Sequence, residues 1–432
     1  MMERFDDVLI ACGRRAVVLQ PRRLTSSPAL AALRRAGTAR IYADSADAAE
    51  LEAATTARDG SLLSDVDGAT VNQPLVRRVV ARYLVDGRDV SCLRGLRARA
   101  ADLPETAVAP FLYTAICGWI GNDLVASFGA GRRWEVSLQL HMGATGDAAA
   151  LRRLGEALHR MVPACFVKVP FTPHAPACVL VARDLERDGI PVNFTSTFSA
   201  RQVVVAALLA DVSRTNVFMG RLNQGLDATL LGEHVDLEAQ RVLRRLRREA
   251  GVRTLLIIAS LRDWRSFVWT AGCDVFTAPC PVLRDFLTQT EVSPEMIESK
   301  LETSYEDRLR LGDEAVKTLG SERIARLWRV EPELIEFLLA YRTSAEYREL
   351  QDGERLARRF DEAGFGDFFY VPTTEEWSTL RESKLPQLGA ELTIRVALDT
   401  LYSVLADSDF EKEQEAIDGT VANHTARAPA AA

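Results

Sequence analysis

Lysine is nearly absent from this 432-residue chain. Only Lys168, Lys300, Lys317, Lys384 and Lys412 occur, against 48 arginines, and Lys168 stands alone in the first 299 residues. Where a bare positive charge would serve, the chain uses arginine; an amine at 168 is therefore not an interchangeable cation. Surplus positive charge is also missing. A net charge of −7 and a pI near 5.5 give no electrostatic footprint for nucleic acid. The run "RRLRRE" lies in a helical pattern with glutamate and reads as a solvated face. We find no apolar run of the roughly 20 residues that span a bilayer, so no membrane association is expected. The N-terminal "MMERFDDVLIACGRR" lacks the layout of a signal peptide. The seven cysteines form no CxxC pair and sit in apolar contexts. They are expected to be reduced core residues of a cytoplasmic protein.

What is present is alternation. The runs "ARIYAD", "DGATVN", "WEVSLQLH", "CFVKV", "PVNFTST", "TNVFMG", "TLLIIAS" and "DVFTAP" read as strands, and helical patterns such as "GDAAALRRLGEALHRMV" separate most of them. Eight such units over residues 39–290 predict an α/β fold, a (β/α)8 TIM barrel. An open doubly wound sheet is the alternative, weakened because no strand leads into a GxGxxG turn. Residues 1–38 read as a helical N-terminal extension, and about 84–133 as an insertion of two helices. Residues 291–410 read as a helical C-terminal region and 411–432 as a disordered tail. A homo-oligomer is compatible with this layout.

In "CFVKVPFT", strand alternation puts Phe166, Lys168 and Pro170 on one face. Either face of a barrel strand is covered, so Lys168 is buried. Desolvation lowers an amine's pKa and makes it a nucleophile towards carbonyls. Pairing with a carboxylate, or snorkelling to an edge, is the other reading. The scarcity of lysine elsewhere favours an imine-forming residue.

The ordered series "IYADSAD", "DGATVNQPLV", "VSLQLH", "FVKVPFT", "VNFTSTFS", "NVFMGR", "IIASLR", "AGCDVFTAP" resembles the transaldolase family and, more loosely, fructose-6-phosphate aldolase. The resemblance falls on all eight strands. It implies a transferase of the pentose phosphate pathway type, with a sugar-phosphate donor and an aldose-phosphate acceptor as partners and no metal or cofactor. It makes Lys168 the Schiff-base lysine and Asp44 the group that takes the C4 hydroxyl proton; capping of the following helix is the alternative for Asp44. Asn72 and Asn193 would bond the ketose, Thr195 would hold a water near the lysine, and Arg221 and Arg262 would bind phosphate. Three departures stand out. Gln139 replaces the family's third-strand glutamate, Asn216 replaces a serine, and Phe218 stands where fructose-6-phosphate aldolases carry tyrosine. His141, two residues past Gln139 on the same expected face, is a candidate substitute acid/base, and His174 a weaker one. Two other readings remain open. One is a specialised enzyme building an unusual long-chain sugar phosphate in secondary metabolism; the other is a non-catalytic sugar-phosphate-binding barrel.

Overall fold

The computed structural model describes residues 2–19, 21–382, 392 and 395–426. Eight parallel strands close a barrel: β1 Arg40–Asp44, β2 Gly68–Val71, β3 Glu135–Gln139, β4 Cys165–Pro170, β5 Val192–Thr197, β6 Arg214–Phe218, β7 Leu255–Ala259 and β8 Val275–Pro279. Each pairs with the next, and β8 returns to β1 with Pro279 beside Asp44. The (β/α)8 barrel expected from the alternating runs is the observed fold. Its strands are covered on both faces, so that even their polar residues, such as Glu135, Asn193 and Arg214, are buried.

Inward side chains plug the N-terminal end. The Tyr42 hydroxyl donates to Glu135 Oε2 at 2.5 Å, Arg214 Nη2 donates to the same oxygen at 2.7 Å, and the Arg214 guanidinium lies 3.6 Å from the centre of the Phe166 ring. Gly68 is required beside them, since a Cβ there would come within 1.9 Å of the Glu135 carbonyl oxygen. With this floor closed, Lys168, one inward position above Phe166, faces the C-terminal mouth.

Between β2 and β3, helices Gly87–Arg99 and Glu105–Phe128 follow Gln73–Tyr83. Glu105–Phe128 corrects the expectation that no stretch reaches membrane-spanning length: it has 24 residues and is apolar enough by composition. Its most apolar window is 83% buried inside the protein, where the helix packs on Met2–Gly13 and Ala148–Met161. A helix packed on most sides needs apolar residues on most sides. The cysteine expectation also needs correction. Cys12 and Cys92 form a disulfide that ties the N-terminal helix to the insertion across 80 residues of chain. Partners so far apart leave no spacing motif. The other five cysteines are buried free thiols.

Beyond β8 the described chain is helical. Its last helix, Leu398–Thr425, has 28 residues and buries Gln414, Ile417, Val421 and Thr425. The expected disordered tail from 411 is thus helical as far as Thr425, and 427–432 lie outside the described residues. This helix lies across the barrel mouth. Ser403 Oγ donates to the Ser196 carbonyl on β5 at 2.7 Å, Gln73 Nε2 donates to Gln414 Oε1 at 3.4 Å, and His141 beyond β3 meets Asp418 at 3.0 Å.

Candidate active site

A cavity of about 380 Å³ opens at the C-terminal mouth. Asp44 on β1, Asn72 after β2, Lys168 on β4 and Asn193 on β5 line it, with Asn216 and Phe218 on β6, Arg221 on helix Met219–Gly225 after β6, and Arg262 in the loop after β7. Eight residues chosen from sequence therefore meet in one space. This is the end of the barrel where βα loops build sites.

Lys168 is 4% exposed. Burial lowers its pKa to about 8, against the pull of Asp44 and with help from the Arg221 charge. Burial raises the Asp44 carboxyl, while Lys168, the Thr70 hydroxyl, Arg78 and Arg262 oppose that rise. Desolvation thus pushes both members of the pair towards their neutral forms. Asp44 is not the helix cap: Asp47 accepts from the Ala49 amide at 3.0 Å in that role. Instead Asp44 Oδ1 accepts from Thr70 Oγ1 at 2.6 Å, and Thr70 accepts in turn from Thr277 at 2.6 Å. One proton per hydroxyl fixes the direction of that chain, Thr277 to Thr70 to Asp44.

The two arginines are brought together by a close loop contact. Gly220 leaves no space for a side chain, because a Cβ there would lie 2.0 Å from the Ser260 carbonyl oxygen. Ser260 itself takes φ 64°, a left-handed conformation uncommon for serine. Arg221 Nη1 donates to Asp409 Oδ2 at 2.9 Å, and its guanidinium lies 5.4 Å from the Phe410 ring centre. Both partners belong to the C-terminal helix. Arg262 is exposed at the rim. Two guanidiniums, one held on the helix after β6 and one in the loop after β7, suit a phosphate dianion. Asn72 also serves the fold, since its side-chain oxygen caps helix Gln73–Tyr83 by accepting from the Leu75 amide at 3.2 Å. Its amide nitrogen is left for a ligand.

Gln139 and Thr195 are fully buried and do not line the cavity. In strand register Gln139 pairs with Lys168, Lys168 with Asn193, and Pro170 with Thr195, so both flank the lysine strand. Gln139 Nε2 meets Met142 Sδ at 3.5 Å, while its Oε1 and the Thr195 hydroxyl have no protein partner. His141 does not share the cavity, contrary to the alternation argument, because β3 ends at Gln139. Its Nδ1 accepts from the Gly143 amide at 3.0 Å, so Nε2 carries the proton and donates to Asp418. His174 packs edge-on to Trp377 with ring centres 5.0 Å apart, and burial lowers its pKa to about 4. Neither histidine reaches the cavity.

Sequence reasoning missed Thr70, Thr277, Arg78 and Phe410, all of which line the cavity. Strand parity could have found the first two, because Thr70 lies two residues before Asn72 on the same face. Phe410 carried no signal, since its place depends on how a remote helix folds back. Among the described residues no group of three or more His, Cys, Asp or Glu is arranged to hold a metal.

A closed parallel barrel with a buried lysine facing a carboxyl below two arginines defines a fold and site of the aldolase/transaldolase type. The chain belongs to the transaldolase/fructose-6-phosphate aldolase family, whose model matches residues 41–326. It is 32% identical over 209 residues to a probable transaldolase of Rhodospirillum centenum, covering 47% of this chain and 82% of that protein. A probable transaldolase of Hyphomonas neptunium is 31% identical over 171 residues, 39% of this chain and 71% of the relative. One from Geobacillus kaustophilus is 31% identical over 139 residues, 32% and 60% respectively.

Proposed function

We propose that this protein transfers a dihydroxyacetone unit from a ketose phosphate to an aldose phosphate through an imine on Lys168. The observation that carries the reading is the buried Lys168–Asp44 pair in a cavity ringed by amides and guanidiniums. The neutral amine adds to the C2 carbonyl, and loss of water leaves an iminium. Asp44, as carboxylate, takes the proton of the C4 hydroxyl. The C3–C4 electrons then flow into the C=N bond, an aldose leaves and an enamine remains. In the return direction the enamine carbon attacks the acceptor's aldehyde, and Asp44 gives the proton back. Asn72, Asn193 and Asn216 hold the hydroxyls of the chain, while Arg221 and Arg262 hold its phosphate. Thr277 and Thr70 orient Asp44.

Only the free amine attacks, so the rate of imine formation rises with pH up to about 8, the pKa of Lys168. Arg78 adds a third guanidinium to the cavity wall. It favours an acceptor with a second anionic group, and with it the more specialised version of the same reaction. Borohydride reduction in the presence of fructose 6-phosphate, followed by mass spectrometry, tests the reading. A stable adduct is expected on Lys168 alone, and Lys168→Arg should abolish both adduct and C–C cleavage while preserving the fold. Wild-type turnover by Lys168→Arg would overturn the reading. Ligand binding with no adduct at any lysine would favour a non-catalytic sugar-phosphate-binding barrel instead.

A further inference from the structure

Imine formation consumes one proton overall: amine, carbonyl and H⁺ give iminium and water, and hydrolysis returns the proton. The cavity has no evident source for it. Asp44 serves the C4 hydroxyl, the arginines stay charged, Gln139 does not titrate, and both His141 nitrogens are bonded elsewhere.

We infer that Asp407, on the C-terminal helix, supplies and recovers this proton through the hydroxyls at the ends of β4 and β5. The inference rests on the reading of Lys168 as the imine-forming residue. Asp407 has no exposed surface and, among the described residues, no basic side chain bonded to it; the polar groups against it are the Ser196 and Thr172 hydroxyls. The other buried or half-buried aspartates of this helix are matched. Asp399 holds Arg201 through two bonds of 2.7 Å, and Asp418 holds His141. Leaving a buried carboxyl unmatched is costly, and burial accordingly raises its pKa well above the ordinary range, against the opposing influence of Ser196, Thr172 and Arg221. Burial with no cation bonded to it favours its neutral, protonated form.

Its position is defined by its neighbours. Asp407 lies one turn after Ser403, which bonds the Ser196 carbonyl, and one turn before Phe410, which lines the cavity. It faces the hydroxyls of Ser196 and Thr172; the charges near it are Glu411 on its own helix and Arg221 after β6, and the Cys178 thiol lies on helix Ala177–Arg187. The Thr195 hydroxyl and Gln139 Oε1 are buried without a protein partner, and the Thr172 and Ser196 hydroxyls are buried beside Asp407. They cluster where β3, β4 and β5 end around Lys168, at the point where the β5–β6 register shifts and Ser196 takes φ 63°. Buried polar atoms left unpaired are the places that water fills, and hydroxyls linked by water carry protons. In the step itself, the Asp407 O–H bond breaks and the carbinolamine oxygen takes the proton. The C–O bond then breaks, water leaves, and the nitrogen lone pair forms C=N. Asp407 ends as carboxylate and is reprotonated on hydrolysis.

Rapid quenching with borohydride, using fructose 6-phosphate and counting label on Lys168, tests this. Asp407→Asn is expected to slow labelling at least tenfold while reaching the same end point. It should also remove the alkaline fall in the pH–rate profile that Asp407 ionisation causes, and leave the melting temperature unchanged or higher. Asp407→Glu should recover part of the rate. An unchanged rate, or a slower one with the pH profile intact and a lower melting temperature, overturns the proposal. If Asp407→Asn does not fold, Thr195→Val interrupts the same path and must show the same loss of rate and of limb; normal kinetics there overturn it equally. Absence of any Lys168 adduct in the wild type would sink the imine reading and this one together, whereas wild-type labelling with an indifferent Asp407→Asn sinks this one alone.

Discussion

The two sides of the barrel mouth are built differently. On the side of β1, β2, β7 and β8 the strand ends open into the cavity, and their polar groups either partner one another, as Thr277, Thr70 and Asp44 do, or stand exposed, as Arg262 does. On the side of β3, β4 and β5 the C-terminal helix roofs the strand ends; Gln139 and Thr195 are sealed with polar atoms unmatched, and Ser196 is sealed beside Asp407. One side opens into the cavity, and the other is closed over by the helix; on the readings proposed above, the first receives substrate and the second holds protons. A polar residue at the end of a barrel strand therefore takes its meaning from what covers it, and strand position alone does not supply that.

After loss of Lys168 itself, the largest expected effect falls on the two cavity arginines, Arg262 on the open side and Arg221 after β6. A charge-assisted contact contributes about 2 kcal/mol, so Arg221→Met or Arg262→Met should raise KM for a phosphorylated ketose roughly 30-fold, with kcat changed less. Arg221 is anchored to the helix by Asp409 and Arg262 is not, so the Arg221 variant should be the worse of the two. Equal use of phosphorylated and unphosphorylated sugars by the wild type would break the assignment of both arginines. On the covered side, Gln139→Glu supplies an acid from β3 instead of the helix. In the Asp407→Asn background it is expected to recover severalfold in the rate of Lys168 labelling; no recovery would show that the two positions do not share a path.

The smallest effect concerns His174, beside the covered side. Its folded pKa of about 4 lies below the ordinary 6.5, and burial is the cause. As pH falls, the unfolded chain binds the proton first, so stability is lost between about pH 6.5 and 4 and is level outside that window. The loss is at most about 3 kcal/mol. Melting temperatures of His174→Phe should be flatter across that window than those of the wild type, and parallel curves would count against the buried neutral imidazole.

Much of the barrel was legible because period-two alternation and strand order are local properties. Lys168 stood out by composition, whereas Asp44, the asparagines and both arginines were picked out by the resemblance of the ordered strand motifs to the transaldolase family. What was hidden depends on long-range packing. "DGTVANHTARAPAAA" is small and polar, yet its first residues are helical because Val421 and Thr425 find a buried seat. His141 passed the parity test but lies beyond the last β3 residue, where parity no longer applies. Cys12 and Cys92 are 80 residues apart, and only the packing of Met2–Gly13 on the insertion unites them. Asp407 sits in a helix whose sequence shows no obvious polar face, because that helix is covered along much of its length.

The roof of the mouth is also made after the barrel that it covers. β8 ends at Pro279 and the roofing helix begins at Leu398. At about 5–20 residues per second, on the order of 10 s of translation separates the two. Throughout that interval a nascent barrel already carries Lys168 and Asp44, but not Phe410, Asp409 or Asp407. On the function proposed above, the imine-forming amine therefore emerges from the ribosome before the helix that roofs its cavity.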